Sequence, residues 1–134
     1  MPTVLTDLAA GHTFPPIPFT IDAGQSRAYL AAAGDALTLY DETGFVPPLA
    51  VAALALGALL EHVSLPDGTL HASESLSFKS PVPAGAALEC RATLAQRSQR
   101  SGWIVSGLDS DIVYNGAVAV TARTTVLSPA MPAS

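Results

Sequence analysis

Two side chains capable of proton chemistry lie close together on a predicted loop, just before a strongly apolar segment. Asp35 follows Gly34, and Tyr40 comes after Asp35 with four residues between them. The loop leads into Val46-Pro47-Pro48, where a long apolar helix is predicted to begin. Free N–H groups at a helix N-terminus stabilise developing negative charge. An acid beside such an end is well placed for acid–base chemistry, with the Tyr40 hydroxyl as a hydrogen-bond donor.

Two predicted helices flank this loop. Asp22 is a suitable N-cap for a helix over Ala23–Ala33, which Gly34 ends. Pro48 suits the first position of a second helix, which continues over Leu49–Val63 and is apolar on every face. A helix without a polar face is one that protein surrounds. We therefore expect the second helix to be the centre of the core.

The second half of the chain alternates apolar and polar residues, which is the pattern of β-strands. After a short first strand over Phe19–Ile21, four long antiparallel strands are predicted, over 70–79, 88–94, 104–114 and 117–127. Asn115-Gly116 predicts a tight hairpin between the last two, and the polar segment Gln96–Gly102 predicts a turn. A sheet wrapped around one apolar helix satisfies both patterns. The expected class is α+β with a hot-dog fold: an extended arm over 1–18, one domain over 19–128 and a tail over 129–134.

Composition narrows the possible partners. The 134 residues carry a net charge of −5, so a nucleic-acid partner is not expected, because phosphate contacts need clustered Lys and Arg. The apolar run 45–60 is shorter than the roughly 20 residues of a membrane span, and no signal peptide is visible at the N-terminus. Cys90 is the single cysteine, at an inward strand position, which favours a reducing, cytoplasmic compartment. The sequence has neither a metal-ligand spacing nor a glycine loop that could cradle a phosphate, so no cofactor is expected.

Several segments, taken in order, resemble the MaoC-like acyl dehydratase and (R)-specific enoyl-CoA hydratase family. Gly34-Asp35 followed by Leu39-Tyr40 is similar to that family's Gly-Asp-x-Asn-Pro-Leu-His segment. Val46-Pro47-Pro48 resembles the start of its central helix. The segment Leu70–Gly85 resembles a strand and turn of that family, and the likeness as a whole extends over residues 11–128.

The resemblance implies an activity and roles for particular residues. In that family an Asp and a His hold a water that adds to a 2-enoyl thioester or leaves a 3-hydroxyacyl thioester. By position, Asp35 matches the acid and Tyr40 matches the histidine, while Leu49 lies near the N–H groups that hold the thioester oxygen. Pro48 has no N–H to offer. The implied substrate is an acyl-CoA or acyl-carrier-protein thioester, and the implied assembly is a homodimer or a heterodimer with a homologous hot-dog chain.

The tyrosine at position 40 is a departure with chemical consequences. Histidine titrates near neutral pH, whereas an unperturbed tyrosine has a pKa of about 10 and is a poor base at pH 7. His71 is expected first to be an exposed or interface residue on the polar side of its strand, and the alternative is a replacement base or substrate contact. Two other functions therefore stay open. One is a non-catalytic subunit that pairs with a catalytic homologue, and the other is a hot-dog acyl-thioesterase. For a CoA phosphate, the cationic candidates are Arg91, Arg97 and Arg100.

Overall fold

A five-stranded antiparallel sheet forms most of the structure. The computed structural model describes residues 3–22, 24–25 and 44–130, with the backbone alone for Pro48 and Leu49. The strands within these described residues are β1 (Thr3–Val4), β2 (Ile17–Ile21), β3 (Phe45–Val46), β4 (Val63–Ser64), β5 (Leu70–Phe78), β6 (Val82–Pro83), β7 (Ala86–Arg100), β8 (Trp103–Tyr114) and β9 (Ala117–Pro129). The large sheet has the order β2-β7-β8-β9-β5, and two short pairs, β1-β4 and β3-β6, stand beside it.

One helix, α1 (Pro48–Leu60), packs against the inner face of this sheet. Its buried residues include Val51, Ala55 and Leu59, which join one core with strand residues such as Leu94 and Ile112. Pro48 at the first helical position confirms the predicted start. The predicted end at Val63 is wrong, because the chain leaves the helix after Leu60 and Val63 belongs to β4.

The burial of α1 differs from the expected all-round burial. Ala53 and Gly57 are exposed, and Glu61 follows them in the same i, i+4 row. Ala53 and Gly57 are small, so this row presents little apolar area to water. The sheet therefore covers most of the helix surface, and one stripe stays uncovered in the single chain.

β7 is longer than the sequence pattern predicts. The polar segment from Gln96, predicted as a turn, continues the strand to Arg100, and the turn is only Ser101-Gly102. A register shift between Leu94 and Gln96 changes the alternation there, and Ser101 and Gly102 adopt positive φ angles of 50° and 84°. The second hairpin turn, Asn115-Gly116, confirms its prediction, with φ angles of 53° and 77°.

The arm before β2 is held to the sheet by main-chain hydrogen bonds. The N–H of Gly11 donates to the Leu94 carbonyl at 2.7 Å, and the N–H of Phe14 donates to the Ala92 carbonyl at 3.0 Å. Phe14 itself is buried in the core. The arm thus extends the pairing of β2 along the same edge of β7. Within the described residues, no helix has the length and apolarity needed to cross a membrane.

Candidate functional site

The segment just before α1 is anchored to β6 and to the residue that follows β6. β3 pairs with β6 immediately before the helix, so that Val46 lies opposite Val82. Gly44, at a φ of 74°, accepts a hydrogen bond through its carbonyl from the Ala84 N–H at 2.8 Å. Only glycine adopts that φ without strain. These contacts fix where the helix starts relative to the sheet.

The first turn of α1 leaves one main-chain donor without an acceptor in the described part of the chain. The N–H groups of Ala50 and Val51 both donate to the Pro47 carbonyl, at 3.0 and 3.2 Å. Pro48 has no N–H, and Pro47 provides no side-chain cap. The Leu49 N–H is therefore the remaining donor at a helix end, where a developing oxyanion is stabilised.

The segment that precedes the candidate acid begins with a capping box. The Gln25 N–H donates to the Asp22 carboxylate at 2.7 Å, and the Asp22 N–H donates to the Gln25 side-chain oxygen at 2.8 Å. This reciprocal pair is a helix-start signature, and it confirms the predicted N-cap at Asp22. The helix predicted to follow, together with Asp35 and Tyr40, lies outside the described residues except for Gly24 and Gln25.

His71 lies on a different face of its strand from the one that simple alternation predicts. The pairing of β5 with β9 places His71 opposite Val126 and Glu74 opposite Thr124, with a register shift between His71 and Ser73. Directly opposed residues share a face of the sheet, and Val126 and Thr124 are buried on the inner face, under 7% exposed. The expectation that His71 sits on the polar side is wrong, because the irregularity at Ala72 shifts the alternation by one residue.

A groove runs along the open stripe of α1. It has a volume of about 590 Å³ and lies between the helix residues Leu54, Gly57 and Ala58 and the strand β2. Its wall is mainly apolar, and Glu61 and His62 stand at the end where the helix finishes. A Cβ placed on Gly57 would meet no atom within 4 Å. β2 forms the other wall of the groove through tertiary packing, which no local sequence pattern indicates.

A second cavity, of about 300 Å³, lies under the arm. It is lined by Phe14, Ile17 and three prolines, with His12 and His62 also in its wall. The His12 and Phe14 rings meet edge to face at 4.8 Å. The two histidines are 50 positions apart in the sequence, and only the fold brings both to this cavity.

The arginines proposed for a CoA phosphate are not gathered into one patch. Arg91 donates to Glu89 at 2.7 Å on the outer face of the sheet. Arg97 donates to the Thr6 carbonyl at 2.9 Å, which holds the arm in place. Arg100 is exposed at the end of β7. Two of the three guanidinium groups are therefore already hydrogen-bonded within this protein, that of Arg91 to a carboxylate and that of Arg97 to a main-chain carbonyl.

Cys90 occupies the position predicted for it. Its side chain is 1% exposed, and burial raises the pKa of the thiol above its ordinary value, against a smaller lowering by a hydrogen bond with Ser110. A buried thiol of this kind is a packing residue rather than a nucleophile.

Comparison with known proteins identifies structural relatives only. No protein-family model and no curated protein matches the sequence. The structure is similar to the MaoC-like dehydratase of Rhodospirillum rubrum, with a TM-score of 0.71, 21% identity, and 97% of this chain and 99% of that chain covered. It is similar to the (R)-hydratase from A. caviae involved in PHA biosynthesis, with a TM-score of 0.72, 23% identity, and 91% and 98% covered.

A third similar structure is a complex. It is the C-terminally truncated HadBC (3R-hydroxyacyl-ACP dehydratase) of Mycobacterium tuberculosis, with a TM-score of 0.76, 20% identity, and 92% of this chain and 100% of that chain covered. These likenesses confirm the predicted α+β hot-dog fold and the predicted structural resemblance to MaoC-like dehydratases and (R)-hydratases.

Proposed function

We propose that this chain is an acyl-thioester hydratase or dehydratase, which adds water to a 2-enoyl thioester or removes it from a 3-hydroxyacyl thioester. The main support is the likeness, over nearly the whole chain, to a MaoC-like dehydratase and an (R)-hydratase. The position of Asp35 after Gly34, ahead of the central helix, agrees with it. Cys90, buried and single, is compatible with a cytoplasmic location.

In this proposal the roles divide among the loop and the helix start. Asp35 orients and activates the water, and Tyr40 donates a hydrogen bond or relays a proton. The Leu49 N–H holds the thioester oxygen as it becomes negative, while Pro48 shapes the first turn without donating. Such a donor acts most strongly in the transition state, where charge has developed on the oxygen.

The groove beside α1 is the proposed place for the acyl chain. Leu54, Gly57 and Ala58 give it an apolar wall, and it follows the helix away from its N-terminus. Burial of an alkyl chain there gains about 0.8 kcal/mol for each methylene. The carrier is coenzyme A or an acyl carrier protein.

A second candidate function is a non-catalytic subunit that pairs with a catalytic homologue. The observation that favours it is Tyr40 at the position where the family has its histidine. The similar HadBC structure, which is a complex, agrees with pairing of two hot-dog chains. The third alternative, an acyl-thioesterase, would release a free thiol, which hydration does not.

The test is loss of enoyl absorbance from a panel of trans-2-enoyl-CoA thioesters, with a thiol reagent in parallel samples. We expect turnover without thiol release, and a fall of at least about 100-fold in the Asp35→Asn variant, since general acid–base groups contribute that much. Asp111→Asn is the matched control, because Asp111 is exposed on the sheet.

The other outcomes separate the alternatives. Thiol release would establish the thioesterase reading. Turnover on no substrate, in a folded protein, would contradict the hydratase proposal and favour the subunit that needs a partner. Unchanged turnover in Asp35→Asn would remove Asp35 from the mechanism.

A further inference from the structure

The cavity under the arm and the groove beside α1 adjoin at His62. Three residues, Ile17, Pro18 and His62, stand in the walls of both. His62 lies just past the last residue of α1, which is Leu60. The groove that follows the helix therefore meets the cavity where the helix has ended, and a chain-like ligand in the groove has the cavity at one end.

The cavity under the arm has an apolar floor and two imidazoles in its wall. Phe14, Ile17 and Val63 are at most 7% exposed, whereas His12 and His62 are exposed. Although the protein has a net charge of −5, the part of the wall that the structure describes holds no acidic side chain. A volume of about 300 Å³, with apolar walls and a few polar groups, is typical of pockets for small organic molecules.

Hydrogen bonds hold the main chain of both histidines in place. The Leu94 N–H donates to the His12 carbonyl at 2.8 Å, and the His12 N–H donates to the Ala9 carbonyl at 3.1 Å. The His62 N–H donates to the Leu59 carbonyl at 2.9 Å. A site whose residues are ordered before binding loses less entropy when its ligand arrives.

The side chains around His62 indicate the chemistry of a ligand and its direction. An imidazole donates an N–H to an acceptor in either protonation state, and a carboxylate is a stronger acceptor than a neutral group. Glu61 stands in the groove wall, beside His62. Because like charges repel, a carboxylate is favoured on the cavity side of His62, near His12, and disfavoured on the groove side.

We propose that the cavity under the arm binds the carboxylate of an alkyl acid, with His12 and His62 as its donors, and that the alkyl chain lies in the groove beside α1. The chain buries its surface against Leu54, Gly57 and Ala58. A free acid of this kind would compete for the groove with the acyl chain of a thioester. That consequence alone rests on the hydratase function proposed above.

The experiment is calorimetric titration of the wild-type protein with octanoate and, as its uncharged counterpart, with 1-octanol. We expect octanoate to bind at least about tenfold more tightly, because hydrogen bonds to a charged acceptor contribute that much. His12→Ala and His62→Ala should each weaken octanoate binding about tenfold and leave 1-octanol binding unchanged. His71→Ala is the matched control, since that histidine is exposed on β5, outside both walls.

Gly57→Leu tests the path of the alkyl chain. The leucine would occupy the groove, so octanoate should again bind more weakly, and thermal unfolding checks that each variant is folded. Octanoate that binds no more tightly than 1-octanol, or that is indifferent to His12→Ala and His62→Ala, would overturn the proposal. Octanoate affinity that survives Gly57→Leu would overturn the placement of the chain.

Two sources can supply the carboxylate, a free fatty acid and the far end of an acyl thioester. They are distinguished with two trans-2-enoyl-CoA substrates of equal length, one ending in a carboxylate and one in a methyl group. A higher kcat/KM for the first, lost in His62→Ala, assigns the carboxylate to the substrate. Equal values, with octanoate as a competitive inhibitor, assign it to a free acid.

Calorimetry separates this site from the hydratase function, because binding does not depend on turnover. Octanoate binding by a protein that hydrates no enoyl thioester would uphold the site and overturn the function proposed above. Hydration without octanoate binding would overturn the site and leave the function standing.

Discussion

Asp109 and Arg123 face each other across β8 and β9 on the outer face of the sheet. Two hydrogen bonds join the guanidinium to the carboxylate, at 2.6 and 2.7 Å. Hydrogen bonding by Arg123 lowers the pKa of the Asp109 carboxyl below its ordinary value. The folded state therefore favours the ionised acid, and the pair stabilises the protein at any pH above the usual range of a carboxyl.

We expect Asp109→Asn to lower the free energy of unfolding at pH 7 by less than about 1 kcal/mol. The gain is small because both side chains are about half exposed, 45% and 51%, and solvent screens the pair. The stabilisation is lost as the pH falls through the lowered pKa of Asp109, so wild type and variant should converge in acid. Urea unfolding at several pH values measures this. Asp111→Asn is the control, and a constant difference at all pH values would contradict the ionic origin.

The positions of some single residues can be predicted from the sequence, and those of others cannot. The N-cap at Asp22 could be predicted, because a capping box depends on residues three positions apart. The face of His71 could not, because the irregularity in β5 is set by its pairing with β9. Period-two alternation gives the correct inward positions for Leu76 and Phe78 but not their exposure, which depends on where the helix stops covering the sheet.

Among the elements, α1 supports a test of the proposed acyl-chain groove. We expect Gly57→Leu to lower kcat/KM for dodecenoyl-CoA at least about tenfold relative to crotonyl-CoA, because the new side chain would occupy the groove. Gly57→Ala is the matched control. A Cβ meets nothing there within 4 Å, so alanine should keep the preference and stabilise the helix by about 1 kcal/mol. An equal loss on both substrates would argue against a chain-length role.

Some helices and strands can be predicted from local sequence, whereas others depend on pairing with distant segments. α1 and the hairpin at Asn115-Gly116 follow from local chemistry, namely an apolar run after Pro48 and a two-residue turn. The length of β7 does not, because its polar end is held by pairing with β8 rather than by its own residues. The pairing of β1 with β4 joins segments 60 positions apart, and no local pattern indicates it.

The tethering of the arm has a consequence for the order in which the chain gains its structure. Thr3 pairs with Val63, and the Thr6 carbonyl accepts its hydrogen bond from Arg97, 91 positions later. On the ribosome, Thr3 and Thr6 emerge before their partners and make these contacts only after Val63 and Arg97 have been synthesised. Contacts this distant in sequence make folding slow. The arm therefore docks late, and a substitution that weakens its tethers would interfere with a final step of folding rather than with its nucleus.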